Sequence, residues 1–175
     1  MKQILVAAVE AKPYATAGGT SDVVGALSKE LQQKGYDVRL VLPYYSAIIR
    51  EPKHKVRHGT DLVVPTGEGS VAASVLVTDE QTYLIGGDPD GYFARVGRGG
   101  VPLYPTLEDF STDAGRLYAF FCRAVLELAL EFNATGWRPD IIHCHDWPMG
   151  LLPAMIEFAE EGAESLQDVP VIMTV

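Results

Sequence analysis

The residues ILVAAVEAKPYATAGGTSD, from Ile4 to Asp22, indicate the fold class of this chain. It opens with an unbroken apolar run at residues 4–9, which is typical of a strand buried in a parallel sheet. Gly18 and Gly19 then precede a segment with helical spacing. Because glycine has no Cβ, the backbone can approach a ligand closely here, and the unpaired N–H groups of a helix start favour negative charge. We therefore expect a ligand site at the carboxyl end of the first strand, where open α/β sheets bind their ligands.

Strands and helices alternate along most of the chain. The predicted helix at 22–34 is capped by Ser21 or Asp22 and is stopped by Gly35. With the strands on either side it forms a βαβ unit, which is parallel and right-handed. The predicted elements outside the middle region are strand 4–9, helix 22–34, strand 37–43, helix 113–131, strand 140–144, helix 149–160 and a buried strand 169–175. The pattern predicts an α/β fold with a doubly wound parallel sheet.

The middle of the chain, residues 44–105, departs from this alternation. Short strands are predicted at 63–64, 71–77 and 82–85, separated by glycines that indicate turns. These turn positions are 59, 67, 69, 86–87 and 97–100. We expect a β-rich insertion that leaves the main sheet and ends in a glycine-rich loop.

Composition excludes several classes of partner. The net charge of −9 argues against a nucleic-acid backbone and against an anionic membrane surface. No apolar run is long enough to span a membrane, and Met1 leads so directly into the first strand that no signal peptide is expected. Cys122 and Cys144 fall in a predicted helix and a predicted strand, which indicates buried thiols and a reducing compartment such as the cytoplasm. Because the chain stops on a strand, we expect it to be part of a longer protein.

A second polar cluster, His143-Cys-His-Asp-Trp147, ends the predicted strand at 140–144. Strand alternation places His143 and His145 on one side and turns Cys144 into the core. A metal site would need a further ligand cluster, which the sequence lacks, so no metal is expected. Two interpretations stay open. The polar residues can simply close the strand end and cap a helix, or they can bind sugar hydroxyls beside the aromatic face of Trp147.

These motifs resemble one family. Glu10, Pro13, the pair Gly18-Gly19 and residues 22–27, followed by 35–43, are similar to the start of bacterial glycogen synthases and plant starch synthases. Residues 116–124 and 139–147 continue the resemblance in the same order. The resemblance implies that residues 1–175 are the Rossmann-like, acceptor-side N-terminal domain of a GT-B glycosyltransferase. The C-terminal donor-binding domain is then absent from this chain.

The resemblance also implies an activity. The family transfers glucose from ADP-glucose or UDP-glucose to the non-reducing end of an α-1,4-glucan, with retention of configuration and without a metal or other cofactor. The lone fragment is expected to be inactive, and no catalytic residue is assigned within it. The implied substrate-binding residues are Glu10, His145, Asp146 and Trp147 on the sugar side, and Thr16, Gly18, Gly19 and Asp22 where donor and acceptor meet.

Three positions depart from the family pattern. Thr16 and Ala17 stand where the family has Lys-Thr before the glycine pair, which removes a charged contact to phosphate. Pro148 replaces the histidine of the family's Asp-Trp-His. These changes motivate an alternative, a paralogue that binds glucan or nucleotide sugar without transferring glucose. An unrelated doubly wound nucleotide-binding protein is a third interpretation.

Overall fold

The protein forms one mixed sheet with helices around it. A computed structural model describes residues 1–45, 55–88, 91–96, 101–104, 113–158 and 162–175. The strands within these residues are β1 (Gln3–Ala7), β2 (Asp37–Pro43), β3 (Val56–Thr66), β4 (Gly69–Thr78), β5 (Thr82–Ile85), β6 (Ile141–His145) and β7 (Val171–Thr174). The helices are α1 (Thr20–Gln33), α2 (Tyr92–Arg95), α3 (Asp113–Ala134) and α4 (Leu151–Phe158), with 3₁₀ turns at Trp147–Met149 and Ala163–Leu166. The strand order is β3-β4-β5-β2-β1-β6-β7.

The parallel part of the sheet has the predicted doubly wound topology. Strands β5, β2, β1, β6 and β7 are parallel neighbours. The chain moves outward from β1 to β2, and later returns past β1 to reach β6. Right-handed crossovers in these two opposite directions put α1 on one face and α3 on the other. The direction of winding reverses beside β1, so the ligand crevice of such a sheet falls at the carboxyl ends of β1 and β6.

The strands of the middle region belong to this same sheet. Strands β3 and β4 form an antiparallel hairpin, and β4 pairs antiparallel with β5. The prediction that these strands leave the sheet is therefore wrong, because hydrogen bonding to β5 extends the sheet at its edge. Gly59, predicted as a turn, lies inside β3 at a β-bulge between His58 and Thr60. The predicted glycine-rich loop at 97–100 lies outside the described residues.

The core covers both faces of the central strands. Leu5, Val6 and Leu42 are fully buried, as are Phe121 and Leu128 of α3, which packs over the sheet. By contrast, β7 is not the buried strand that its apolar sequence predicts. Its position at the edge of the sheet leaves Ile172 and Met173 exposed by 44% and 36%.

Both cysteines are buried and unpaired, as their positions predict. Burial raises the pKa of Cys122 and of Cys144 to about 12, so both thiols stay protonated at neutral pH. In the described part of the chain, no helix has the length and apolar character needed to cross a bilayer.

Helix α1 is seated on the loop that follows β1 by direct backbone contact. The Lys12 amide donates to the Ser21 carbonyl at 2.9 Å. A Cβ added to Gly25 would lie 2.5 Å from the Lys12 carbonyl oxygen, closer than real Cβ atoms come to backbone. Glycine at position 25 therefore sets how closely the helix approaches the loop.

Substituting Gly25 with alanine should separate the helix from the loop. We expect Gly25→Ala to lower the free energy of unfolding by roughly 1–3 kcal/mol, the usual cost of overpacking. Gly115→Ala is the matched control, because a Cβ at this α3 position meets no described atom within 4 Å. It should raise stability by about 0.5–1 kcal/mol. Urea denaturation measures both, and equal effects of the two substitutions would contradict the close approach.

Candidate active site

Glu10, the first polar residue after β1, is the centre of the site. Its side chain is 1% exposed. Its Oε2 accepts hydrogen bonds from the Ala17 amide at 2.6 Å and from the Gly18 amide at 2.9 Å. Two of the loop amides that the sequence offers to a ligand are therefore occupied by a carboxylate of the chain itself.

The start of α1 differs from the sequence prediction. The helix begins at Thr20, two residues early, and no side chain of the described residues caps it. The predicted cap Ser21 is buried and its hydroxyl donates to the Gly18 carbonyl at 2.8 Å, so the capping prediction is wrong. Within the described residues the Gly19 and Thr20 amides donate no hydrogen bond. These two N–H groups at the positive end of a 14-residue helix can still receive an anion.

Tyr104 joins the loops after β1 and β6. Its hydroxyl donates to Glu10 Oε1 at 2.9 Å and lies 3.4 Å from Asp146 Oδ2. Burial, together with the hydrogen bond to Glu10, raises the pKa of Tyr104, so its hydroxyl remains a donor between two carboxylates. The sequence analysis missed this residue. It lies 94 positions from Glu10, and an isolated loop tyrosine gives no periodic or spaced signal.

Asp146 has a strained backbone. Its φ of 67° and ψ of 166° fall in a region that is almost restricted to glycine, at a cost of about 1–3 kcal/mol. The surroundings hold it there. Its amide donates to the Thr174 carbonyl at 2.7 Å, and its Oδ1 accepts from the Trp147 amide at 2.7 Å. The strained turn directs the second carboxylate oxygen of Asp146 toward Tyr104. Asp146 thereby joins Glu10 and Tyr104 in one cluster.

Trp147 provides an aromatic surface beside the carboxylates. The side chain is 46% exposed, although its ring packs edge-on against Tyr118 with the centroids 5.1 Å apart. The Tyr104 ring lies 6.3 Å away on a tilted plane. Half-exposed aromatic rings beside hydrogen-bonding carboxylates form a surface suited to a sugar ring.

The two histidines of β6 lie on the same side of the strand, as predicted. Their ring centroids are 4.1 Å apart, and His143 contacts the Thr174 hydroxyl at 2.9 Å. His145 is only 2% exposed, so it lies beneath the site surface. Burial, and secondarily the neighbouring His143, lowers the pKa of His145 to about 4, which keeps the ring neutral. Its Nε2 has no hydrogen-bond partner in the described part of the chain.

The remaining predicted residues are less closely gathered. Asp22 pairs with Lys12, with 2.6 Å between Oδ1 and Nζ, and both side chains are exposed. This pair lines a cleft of about 810 Å³ beside α1 that includes neither Glu10 nor Asp146. Thr16 is exposed on the loop after β1 and carries no charge. Among the described residues, no three His, Cys, Asp or Glu side chains converge on a possible metal position.

The chain is similar to known proteins of one family. Residues 3–175 match the family of starch synthase catalytic domains. The glycogen synthase of Geobacillus thermodenitrificans is 38% identical over 156 residues, which cover 88% of this chain and 29% of the relative. That of Clostridium perfringens is 39% identical over 163 residues, 91% of this chain and 31% of the relative.

A solved structure is also similar to the whole fold. It is the catalytic domain of starch synthase IV from Arabidopsis thaliana, bound to ADP and acarbose. The TM-score is 0.79 at 25% identity, over 98% of this chain and 33% of that one. The chain therefore spans about a third of the length of the proteins it matches.

The doubly wound sheet and the polar cluster at its switch point define an α/β domain of the GT-B glycosyltransferase class. The chain belongs to the starch synthase catalytic domain family, and bacterial glycogen synthases are among its relatives. The family resemblance of the sequence motifs is confirmed.

The buried His145 should make stability depend on pH. Between its ordinary pKa of 6.5 and the folded value of about 4, the unfolded chain binds a proton at this ring and the folded chain does not. We expect the free energy of unfolding to fall as the pH is lowered through this window and the contribution of His145 to level off below it. His145→Gln should flatten the curve measured by urea denaturation at several pH values. An unchanged slope in His145→Gln would refute the assignment.

Proposed function

We propose that this chain is the acceptor-side domain of a glycogen or starch synthase-type glycosyltransferase. The reaction is retaining transfer of glucose from ADP-glucose or UDP-glucose to the non-reducing end of an α-1,4-glucan. The observation that carries the proposal is the cluster of Glu10, Tyr104, Asp146 and Trp147 at the switch point of the sheet. The partner domain that completes the cleft lies outside these 175 residues, so the lone domain is inactive.

The acceptor glucan lies against Trp147 in this proposal. The exposed part of the indole packs on a glucose ring, and the Asp146 carboxylate accepts hydrogen bonds from sugar hydroxyls. Tyr104 holds the two carboxylates in fixed positions, so the polar groups need little rearrangement when the sugar binds. The Arabidopsis relative is bound to acarbose, which supports a sugar ligand for a domain of this fold.

The donor phosphates lie near the free end of α1. The Gly19 and Thr20 amides are available to an anion, and the ADP on the Arabidopsis relative agrees with a nucleotide donor. Thr16 and Ala17 add no positive charge here. Neutralisation of the diphosphate therefore falls mainly to the partner domain. The buried, protonated thiols suit a reducing compartment, and we place the protein in the cytoplasm.

One observation favours the alternative of a binding protein without transfer. Pro148 is buried, and its carbonyl accepts a hydrogen bond from the Cys122 thiol at 3.3 Å. A proline side chain has no donor to offer to a reacting sugar. Loss of one such donor typically costs about 10²–10³-fold in turnover, so the substitution bears directly on catalysis.

Glucose transfer by the protein that carries both domains separates the two candidates. The assay supplies ADP-glucose or UDP-glucose, with short maltooligosaccharides as acceptors. Elongated α-1,4 products establish the synthase and identify its donor. Saturable binding of maltooligosaccharide without elongation leaves the binding paralogue and overturns the catalytic assignment.

Trp147 should account for much of the glucan affinity. We expect Trp147→Ala to weaken maltooligosaccharide binding to this chain by about tenfold or more, because a central aromatic contact is worth about 2 kcal/mol. Phe158→Ala is the matched control, since Phe158 is an aromatic residue that is 82% exposed at the end of α4. Isothermal titration calorimetry measures both variants. Equal affinities of Trp147→Ala and the unmodified chain would exclude the proposed acceptor surface.

A further inference from the structure

A small cavity at the opposite end of the sheet contains two arginines. It measures about 230 Å³, and its lining includes Arg39 of β2, Arg57 of β3, Glu131 in the last turn of α3 and Thr135 just after that helix. Arg39 lies four residues before the end of β2, or about 13 Å from the edge that carries the candidate active site. The cavity is therefore separate from the sugar and donor surfaces described above.

The two arginines differ from others in the chain by lacking an acidic partner. Arg116, Arg123 and Arg138 each form an ion pair, with Glu68, Glu127 and Asp168 respectively. Within the described residues neither Arg39 nor Arg57 has a carboxylate within ion-pair distance. Both arginines line one cavity, and Glu131, which lines it too, forms no ion pair with either of them among the described residues. Two guanidinium groups without an ion-paired carboxylate, in a chain of net charge −9, indicate a position that an external anion can occupy.

The β-bulge in β3 brings Arg57 to this cavity. Arg57 pairs with Val77, and Thr60 pairs with Val75, so all four side chains lie on one face of the hairpin. In a regular strand, residues 57 and 60 would point to opposite faces, because alternation has a period of two. The additional residue, Gly59, shifts the alternation by one, so that Arg57 and Thr60 point to the same face of the hairpin. Bulges commonly redirect a side chain toward a functional position.

Aromatic rings fix the other guanidinium. The Arg39 Cζ lies 4.2 Å from the centroid of Phe132 and 4.3 Å from that of Trp137, with Tyr83 at 5.5 Å. The Arg39 Nε is buried without a hydrogen-bond partner in the described part of the chain. A cation held by three rings has lost most of its conformational freedom before a ligand arrives, and its partial burial strengthens attraction to an anion.

We propose that this cavity binds a phosphoryl group, as free phosphate or as part of a small phosphorylated metabolite. The volume is below the range of roughly 300–1,000 Å³ found for drug-sized ligands, so it suits a small ion or the phosphate end of a larger molecule. A tetrahedral phosphoryl group presents oxygens in several directions and can meet guanidinium groups on two walls at once, whereas a carboxylate presents one edge. Glu131 also lines the cavity, and its negative charge weakens the attraction for an anion.

Titration of this chain with inorganic phosphate tests the proposal, using ³¹P NMR or calorimetry at near-physiological ionic strength. We expect saturable binding that Arg57→Gln weakens by about tenfold or more, the size expected for a charged hydrogen bond. Glu131→Gln should strengthen binding. Lys55→Gln is the control, because it removes the same charge two residues away, and it should leave affinity nearly unchanged.

A hexose monophosphate that binds more tightly than inorganic phosphate would identify a phosphorylated metabolite as the natural source of the group, and equal affinity would identify the free ion.

The choice of variants separates a loss of phosphate binding from a loss of folding. Arg57 is exposed in β3, so thermal unfolding of Arg57→Gln should match that of the unmodified chain. Arg39→Lys provides a second variant, which retains the charge and loses the planar fork, and it should also weaken binding. Absence of saturable binding to the unmodified chain, or binding that Arg57→Gln leaves intact, would overturn the proposal.

Discussion

The buried carboxylate of Glu10 is the interaction on which the site depends. A polar side chain that is 1% exposed is costly unless hydrogen bonds satisfy it, and here three donors do so: two loop amides and the Tyr104 hydroxyl. The same contacts fix the path of the glycine loop, the start of α1 and the position of Tyr104. Because the Tyr104 hydroxyl also approaches Asp146, these contacts connect the loop after β1 with the loop after β6.

The topology of the sheet places Glu10 at a crevice where a ligand can bind. Winding of the chain in opposite directions from β1 opens a crevice between the ends of β1 and β6. The strained backbone of Asp146 and the half-exposed Trp147 lie at that crevice. The opposite end of the sheet is organised differently, since a β-bulge and an aromatic cage there hold two arginines around a small cavity. The two ends of the sheet therefore present surfaces of different chemical character.

Local sequence patterns predicted the elements better than their long-range relations. The apolar run at 4–9 and the alternation around His143 and His145 gave the strands, because burial and side-chain direction follow from residues close in the chain. The attachment of the hairpin to β5 was missed, since hydrogen bonding between distant strands leaves no periodic mark. Gly59 looked like a turn because turns and bulges both favour glycine.

In the candidate site, too, local motifs were predicted and long-range contacts were missed. The motifs located Glu10, Asp146 and Trp147, but not Tyr104, which joins them from a loop 94 positions away from Glu10. The predicted cap at Ser21 failed for a related reason. The Glu10 carboxylate already holds the loop amides before the helix, and Ser21 is buried instead. Propensity at a helix start does not reveal a side chain that arrives from the preceding strand.

Amide hydrogen exchange at Ala17 and Gly18, followed by NMR, tests whether the Glu10 carboxylate holds the glycine loop. If the Glu10 carboxylate holds these amides, both exchange slowly in the native chain, more slowly than the Gly19 amide beside them, and Glu10→Gln accelerates their exchange while leaving the core strands protected. Fast exchange of Ala17 and Gly18 in the unmodified chain, at the rate of Gly19, would contradict the account.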